Sequence, residues 1–190
     1  MEDQIAISRI KQGDLTGLEI LVKRYQVQAV QAAYAIVYDR AQAEDIAQSA
    51  FVKVVERVQQ FDEARPFAPW FFRIVLNDAI KLAKKQSRMV SLEEQLDEPT
   101  AQLANWLMDP NLRPEQIMEQ QEMRGIILKA MQTLTPEQRA VIVMRYFLEM
   151  SEADMVAKLD RPLSTIKWWL RDARDRLHKL LGSTQAKDGS

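Results

Sequence analysis

The chain has no cysteine, which excludes a disulfide framework, thiolate metal sites and thiol nucleophiles. Its single histidine, His178, rules out a histidine-rich metal centre. Glycine (5) and proline (7) are scarce in 190 residues, about half their usual combined share of roughly 12%. Few turn formers and no glycine-rich loop point to a mostly helical protein. No stretch approaches the roughly 18 uncharged apolar residues that a spanning helix requires, so no membrane insertion is expected. The opening Met1-Glu2-Asp3-Gln4 has neither the basic start nor the apolar core of a signal peptide, and a cytoplasmic location without metal or cofactor is expected. What is present is a globular balance of 47% hydrophobic and 28% charged residues, with length for one or two domains.

The net charge of −1 hides blocks. Ile80–Arg88 carries Lys81, Lys84, Lys85 and Arg88 without an acid, a local +4; Leu92–Met123 sums to −7; Arg161–Lys179 returns to +4. Basic, acidic, basic is the layout of two nucleic-acid-facing modules joined by an acidic connector, although solvated helix faces give similar runs.

Four helical patterns fill residues 3 to 88. The first includes Ile5, Ile7 and Ile10 and breaks at Gly13-Asp14; the others run from about Leu15 to Tyr38, from Ala43 to Gln60, and from Phe67 into the basic cluster. In the third, Ile46, Ala50, Val54 and Val58 recur every four residues as a core stripe, while Asp45, Gln48, Ser49, Val52 and Glu56 occupy the opposite face. Residues 89–114 hold three prolines and the acidic excess and read as a linker, because each proline disfavours helix at the residue before it.

Beyond the linker, Thr135-Pro136-Glu137-Gln138 has the form of a capping box with proline at the first helical position, opening a helix through Phe147. Ser151 starts a short helix to Leu159. Asp160-Arg161 turns the chain, and Pro162 opens a third helix to about Leu181, stopped by Gly182 and followed by a disordered tail, 183–190. Short helix, tight turn and longer basic helix make a helix-turn-helix. On the last helix Ile166, Leu170, Ala173, Leu177 and Leu180 cluster as a buried stripe. Ser164, Lys167, Trp168, Arg171, Arg174 and His178 fall opposite, offering donors to phosphates and base edges. Trp168 is either part of this nucleic-acid face or a surface residue packed on a neighbouring domain.

These residues resemble a family. The run LTPEQRAVIVMRYFLEMSEADMVAKLDRPLSTIKWWLRDARDRLHKLLG is similar to region 4 of bacterial sigma factors of the extracytoplasmic-function (ECF) type. The N-terminal half agrees: IKQGDLTGLEILVKRYQ resembles that family's first helix region, AEDIAQSAFVKVVERVQQFD its region 2.2, and FAPWFFRIVLNDAIKLAKKQSR its regions 2.3–2.4. The resemblance implies an all-α chain of two small helical domains, region 2 over residues 1–88 and region 4 over 115–182, joined by the linker. It implies binding to core RNA polymerase and promoter DNA, an anti-sigma protein as a further partner, and no catalysis.

The resemblance also assigns residues. Asp45, Gln48, Val52 and Glu56 would face core polymerase. Phe61, Arg65 and Phe67 would lie at the loop that captures a flipped base of the −10 element; Asn77, Lys81, Lys84, Lys85 and Arg88 would follow the strand; Trp70 is a candidate for stacking or for the core. Ser164, Thr165, Lys167, Trp168, Arg171 and Arg174 would meet the −35 element. The chain departs from the family at Asp160 and Ser164, where glycine is usual, at Trp168-Trp169, at Leu76 and at Lys81. Two rival readings stand beside it. One is a helix-turn-helix regulator acting without polymerase. The other is an enzyme built on the acidic pairs Glu44-Asp45 and Glu152/Asp154, each of which a helix first turn already explains.

Overall fold

The computed structural model describes residues 2–90, 127 and 129–185; most of the expected linker, the start of the second expected domain and residues 186–190 of the tail lie outside them. The described residues form α-helices joined by short turns, in two compact units divided between Lys84 and Lys85.

In the first unit, α1 (Glu2–Lys11) buries Ala6, Ile7 and Ile10. Gly13 ends the connection at φ +85°, a left-handed conformation that side chains rarely adopt. α2 (Thr16–Val37) then turns back so closely that a Cβ on Gly17 would meet the Ala6 carbonyl oxygen at 2.2 Å. The same helix pair is tied at its other end: the Tyr25 hydroxyl donates to Asp3 at 2.6 Å, and Arg24 reaches Asp3 at 3.0 Å. Burial and the neighbouring Asp3 carboxylate push the Tyr25 hydroxyl well above the usual phenol range.

α3 (Arg40–Arg57) begins three residues before the sequence pattern indicates, because Asp39 caps it, accepting from the Gln42 amide at 2.9 Å. Its stripe of Ile46, Ala50 and Val54 is buried, and Val58 follows buried in a 3₁₀ turn, Val58–Gln60. α4 (Phe67–Val90) runs two residues beyond the expected boundary. Its first turns carry Phe67, Phe71 and Phe72 into an aromatic cluster with Tyr25 and Phe51. Phe71 is fully buried at the centre, with ring centroids 4.6 Å from Phe51, 5.6 Å from Phe67 and 5.9 Å from Tyr25.

In the second unit, α5 (Pro136–Ile142) starts with the capping box read from sequence: Thr135 Oγ1 accepts from the Gln138 amide, and Gln138 Oε1 accepts from the Thr135 amide at 2.9 Å. The expected helix to Phe147 instead widens into a π-helical segment, Val143–Phe147, closed by the Leu148 amide donating to the Val143 carbonyl at 3.0 Å. Tyr146 and Phe147 are left exposed. α6 (Glu152–Leu159) is capped by Ser151, whose hydroxyl and amide hold the Asp154 carboxyl below its ordinary range. Asp160 turns the chain at φ 50°, ψ 52°, a conformation aspartate tolerates better than most residues.

α7 (Leu163–Gln185) corrects two expectations. It passes through Gly182 and takes in Ser183, Thr184 and Gln185, since an isolated glycine lowers helix stability by only about 1 kcal/mol and does not by itself terminate a helix. Its stripe buries Ile166, Leu170 and Ala173 but leaves Leu180 39% exposed.

Phe71→Ala is expected to lower stability by about 3–5 kcal/mol, the usual loss for a large aromatic core side chain, seen as a drop in thermal midpoint. Val52→Ala, on the exposed face of α3, is expected to stay within about 0.5 kcal/mol.

Candidate nucleic-acid and protein-docking surfaces

The exposed side of α3 presents Asp45, Gln48, Val52 and Glu56 in one row, all exposed, with Val52 57% accessible. Among the described residues of the first unit, none covers this valine. The row lies opposite the buried Ile46–Ala50–Val54 stripe, so its direction follows from helical periodicity alone.

The loop between the 3₁₀ turn and α4 corrects an expectation. Phe61 and Phe67 are 5% and 3% exposed. Their centroids lie 6.1 Å apart, and Phe61 also packs against Trp70 at 4.9 Å. Rings enclosed by protein on this scale have no free face for a base, so the two phenylalanines shape the loop from beneath. Arg65 is exposed, within 3.3 Å of the Asp62 carboxylate. The loop is also pinned from α1: Lys11 donates to the Phe61 carbonyl at 3.0 Å and to Glu63 at 2.7 Å.

Beside this loop, a cavity of about 370 Å³ opens between α3, the 3₁₀ turn and α4. Asn77 and Lys81 line it, together with half-buried Trp70. Lys53, Arg57, Gln60, Arg73, Ile74 and Asp78 complete the wall; sequence reading did not assign them. Arg73, Asn77 and Lys81 are spaced four apart, so extending the helical register of α4 backwards from Asn77 would have found the arginine. Arg57 ends α3 and Gln60 ends the 3₁₀ turn after it, and only the tertiary fold brings them here. Further along α4, Lys84 is half-buried and Lys85 exposed; the Arg88 side chain lies outside the described residues. The cavity therefore offers guanidinium, ammonium and amide donors around an aromatic wall, which suits an unpaired nucleotide.

On α7, Ser164, Lys167, Trp168, Arg171 and Arg174 are exposed and Thr165 is half-buried. Trp168 is 59% exposed, while Trp169 on the flank is half-buried. Lys167 lies 3.9 Å from Glu152 at the start of α6, Arg171 lies 4.0 Å from Asp175, and Arg174 Nε donates to the Leu170 carbonyl at 3.2 Å. The placement of the helix rests on Gln138, the buried polar side chain of the described core. Its Nε2 donates to Asp172 on α7 at 2.5 Å, and Asp172 also pairs with Arg176 at 3.0 Å. Among the described residues, no acid, histidine or cysteine group could hold a metal, and no helix is long and apolar enough to cross a membrane.

A family model described as Sigma-70 region 2 matches residues 21–89, and one described as Sigma-70, region 4, matches residues 124–177. The chain is 27% identical over 176 residues to the ECF RNA polymerase sigma factor SigW of Bacillus subtilis, covering 92% of this chain and 94% of that protein. It is 25% identical over 181 residues to the ECF RNA polymerase sigma-E factor of Escherichia coli K12, covering 93% of each. Among solved structures, CnrH in complex with the cytosolic domain of CnrY aligns with a TM-score of 0.65 at 23% identity, over 96% of this chain and 99% of that one. The sigma factor RpoE in complex with the anti-sigma factor NepR from Bartonella quintana aligns at 0.61 and 21%, over 92% and 98%. Both show a shared fold.

Trp168→Ala is expected to leave the thermal midpoint almost unchanged, as for surface substitutions within about 0.5 kcal/mol. Ile166→Ala, at a fully buried position of the same helix, is expected to cost about 2–5 kcal/mol.

Proposed function

The chain belongs to the sigma-70 family of RNA polymerase sigma factors, in its ECF branch, and from that premise we propose how its surfaces divide the work of transcription initiation. It binds core polymerase, recognises −35 and −10 promoter elements and promotes DNA opening. The observation that carries this reading is the presence, in one chain and in order, of both regions 2 and 4. A helix-turn-helix regulator acting without polymerase needs only the second.

In this reading the row Asp45, Gln48, Val52 and Glu56 docks onto core polymerase, its exposed valine giving the contact an apolar centre. The cavity beside the loop takes an unpaired base of the −10 strand. Trp70 and the guanidinium groups of Arg57 and Arg73 offer planar stacking, and Asn77 offers amide hydrogen bonds. Arg65 at the loop, with Lys81, Lys84, Lys85 and Arg88, follows the phosphates. The region 4 helix places Lys167, Arg171 and Arg174 for −35 phosphates, with Ser164 and Thr165 at its leading end. Trp168 adds apolar contact to thymine methyl groups or sugars, because its single N–H reads little of the base code. The domains would be residues 1–88 and 115–182. The chain supplies no catalysis and works in the cytoplasm with polymerase. The Bartonella factor is solved with an anti-sigma factor, and a partner of that kind belongs to the proposal here.

Reconstitution tests the whole. Purified core polymerase should start transcription at specific promoters only when this chain is added. Asp45→Arg with Gln48→Arg should weaken its titration onto core polymerase by about tenfold or more, equivalent to 1.4 kcal/mol, with helicity unchanged. Unaltered affinity would remove α3 from the docking surface.

Lys81→Ala with Lys85→Ala should lower the slope of log affinity against log salt for the single −10 strand by about 1.4, roughly 0.7 per lost phosphate contact. Identical slopes for the wild type and the double variant would separate these lysines from the strand.

A further inference from the structure

Lys53 on α3 and Asp78 on α4 form an ion pair, Nζ to Oδ2 at 2.6 Å, with side chains 29% and 21% exposed. Neither residue belongs to the docking row or to the strand-following cations. Both line the cavity described above, and both also line a second cavity of about 400 Å³ that reaches Asp45 and Ser49 on the α3 side. The pair is therefore the partition between them. In the first cavity, Asp78 is the sole acid among Lys53, Arg57, Arg73 and Lys81. It also adjoins Asn77 in the chain. A carboxylate without its partner there would be half desolvated and would repel phosphate at close range.

We propose that Lys53 is a positioning residue for promoter-strand capture: it neutralises the one carboxylate in a cation-lined cavity and holds the Asn77 turn of α4 against α3. This rests on the assignment of the cavity to the −10 strand. The charges make opposite demands on the two partners. Removing Lys53 alone leaves the Asp78 charge unbalanced at the pair; removing Asp78 alone leaves an unbalanced positive one there; removing both returns the pair's sum to zero. A brace without an electrostatic role would lose its effect equally in the first and third cases.

The experiment uses the chain assembled with core polymerase and measures binding of a fluorescent single-stranded −10 oligonucleotide, with melting curves for every variant. Lys53→Met should weaken binding by about tenfold, and Asp78→Asn should strengthen it by about twofold. The double variant should return to within about threefold of wild type, as expected for directly coupled charges. Lys53→Arg should retain binding, and the gap between the single Lys53 variant and the double variant should narrow as salt is raised. If Lys53→Met fails to assemble, Lys53→Gln takes its place in the comparison. Equal loss in the single and double variants overturns the proposal, as does wild-type binding by Lys53→Met while Lys81→Ala is weakened. Wild-type binding by both Lys53→Met and Lys81→Ala overturns the cavity assignment itself, and the proposal with it.

Discussion

A helix has one circumference, and in this chain nearly every helix must divide it between a core and a surface that can meet another molecule. Among the described residues the helices are joined by short turns, so surfaces are made from what the core leaves free. α3 gives Ile46, Ala50 and Val54 to the interior and Asp45, Gln48, Val52 and Glu56 to the outside. α7 gives Ile166, Leu170 and Ala173 to one side and Lys167, Trp168 and Arg171 to the other. The aromatic cluster around Phe71 matters for the same reason. It fixes the rotation of α4 about its axis, and that rotation decides that Asn77 and Lys81 reach the cavity.

This explains what was legible in the sequence. Periodicity located the faces of α3 and α7. Local chemistry located the capping box at Thr135, the helix start at Ser151 and the turn at Asp160, because each depends on residues within a few positions of one another. Phe61 and Phe67 were misjudged for the opposite reason. An aromatic residue in or beside a loop suits base stacking and burial equally well by type, and only the proximity of Trp70 on α4 to Phe61, and of Tyr25 on α2 to Phe67, decides for burial. Arg57 and Gln60 were missed because they reach the cavity from a different element. Gly17 carried no turn signal; its necessity lies in the approach of Ala6 from the preceding helix. The π-helical widening before Leu148 likewise has no pattern of its own, since its residues continue a helical sequence.

Charge shows the same dependence on scale. The chain total of −1 would discourage a nucleic-acid reading, and the blocks reverse it. On the last helix, acids adjoin cations: Asp175 lies beside Arg171, and Glu152 of α6 lies near Lys167. Exposed pairs of this kind add little stability, about 0–1 kcal/mol. Their greater effect is on the field a phosphate would meet, because each acid tempers a cation on a surface proposed to hold DNA.

Gln138 joins two functions of the fold in one side chain: its oxygen completes the cap of α5 and its nitrogen holds Asp172 of α7. The register of α7 is thus tied to the start of another helix at Asp172, one turn beyond Trp168. Sequence change at the other exposed positions leaves that tie intact. A lineage carrying this fold can exchange Ser164, Lys167, Trp168 or Arg171, and with them the DNA preference proposed for this face, while the helix is inherited in the same place; such recognition evolves residue by residue on a mount that does not move.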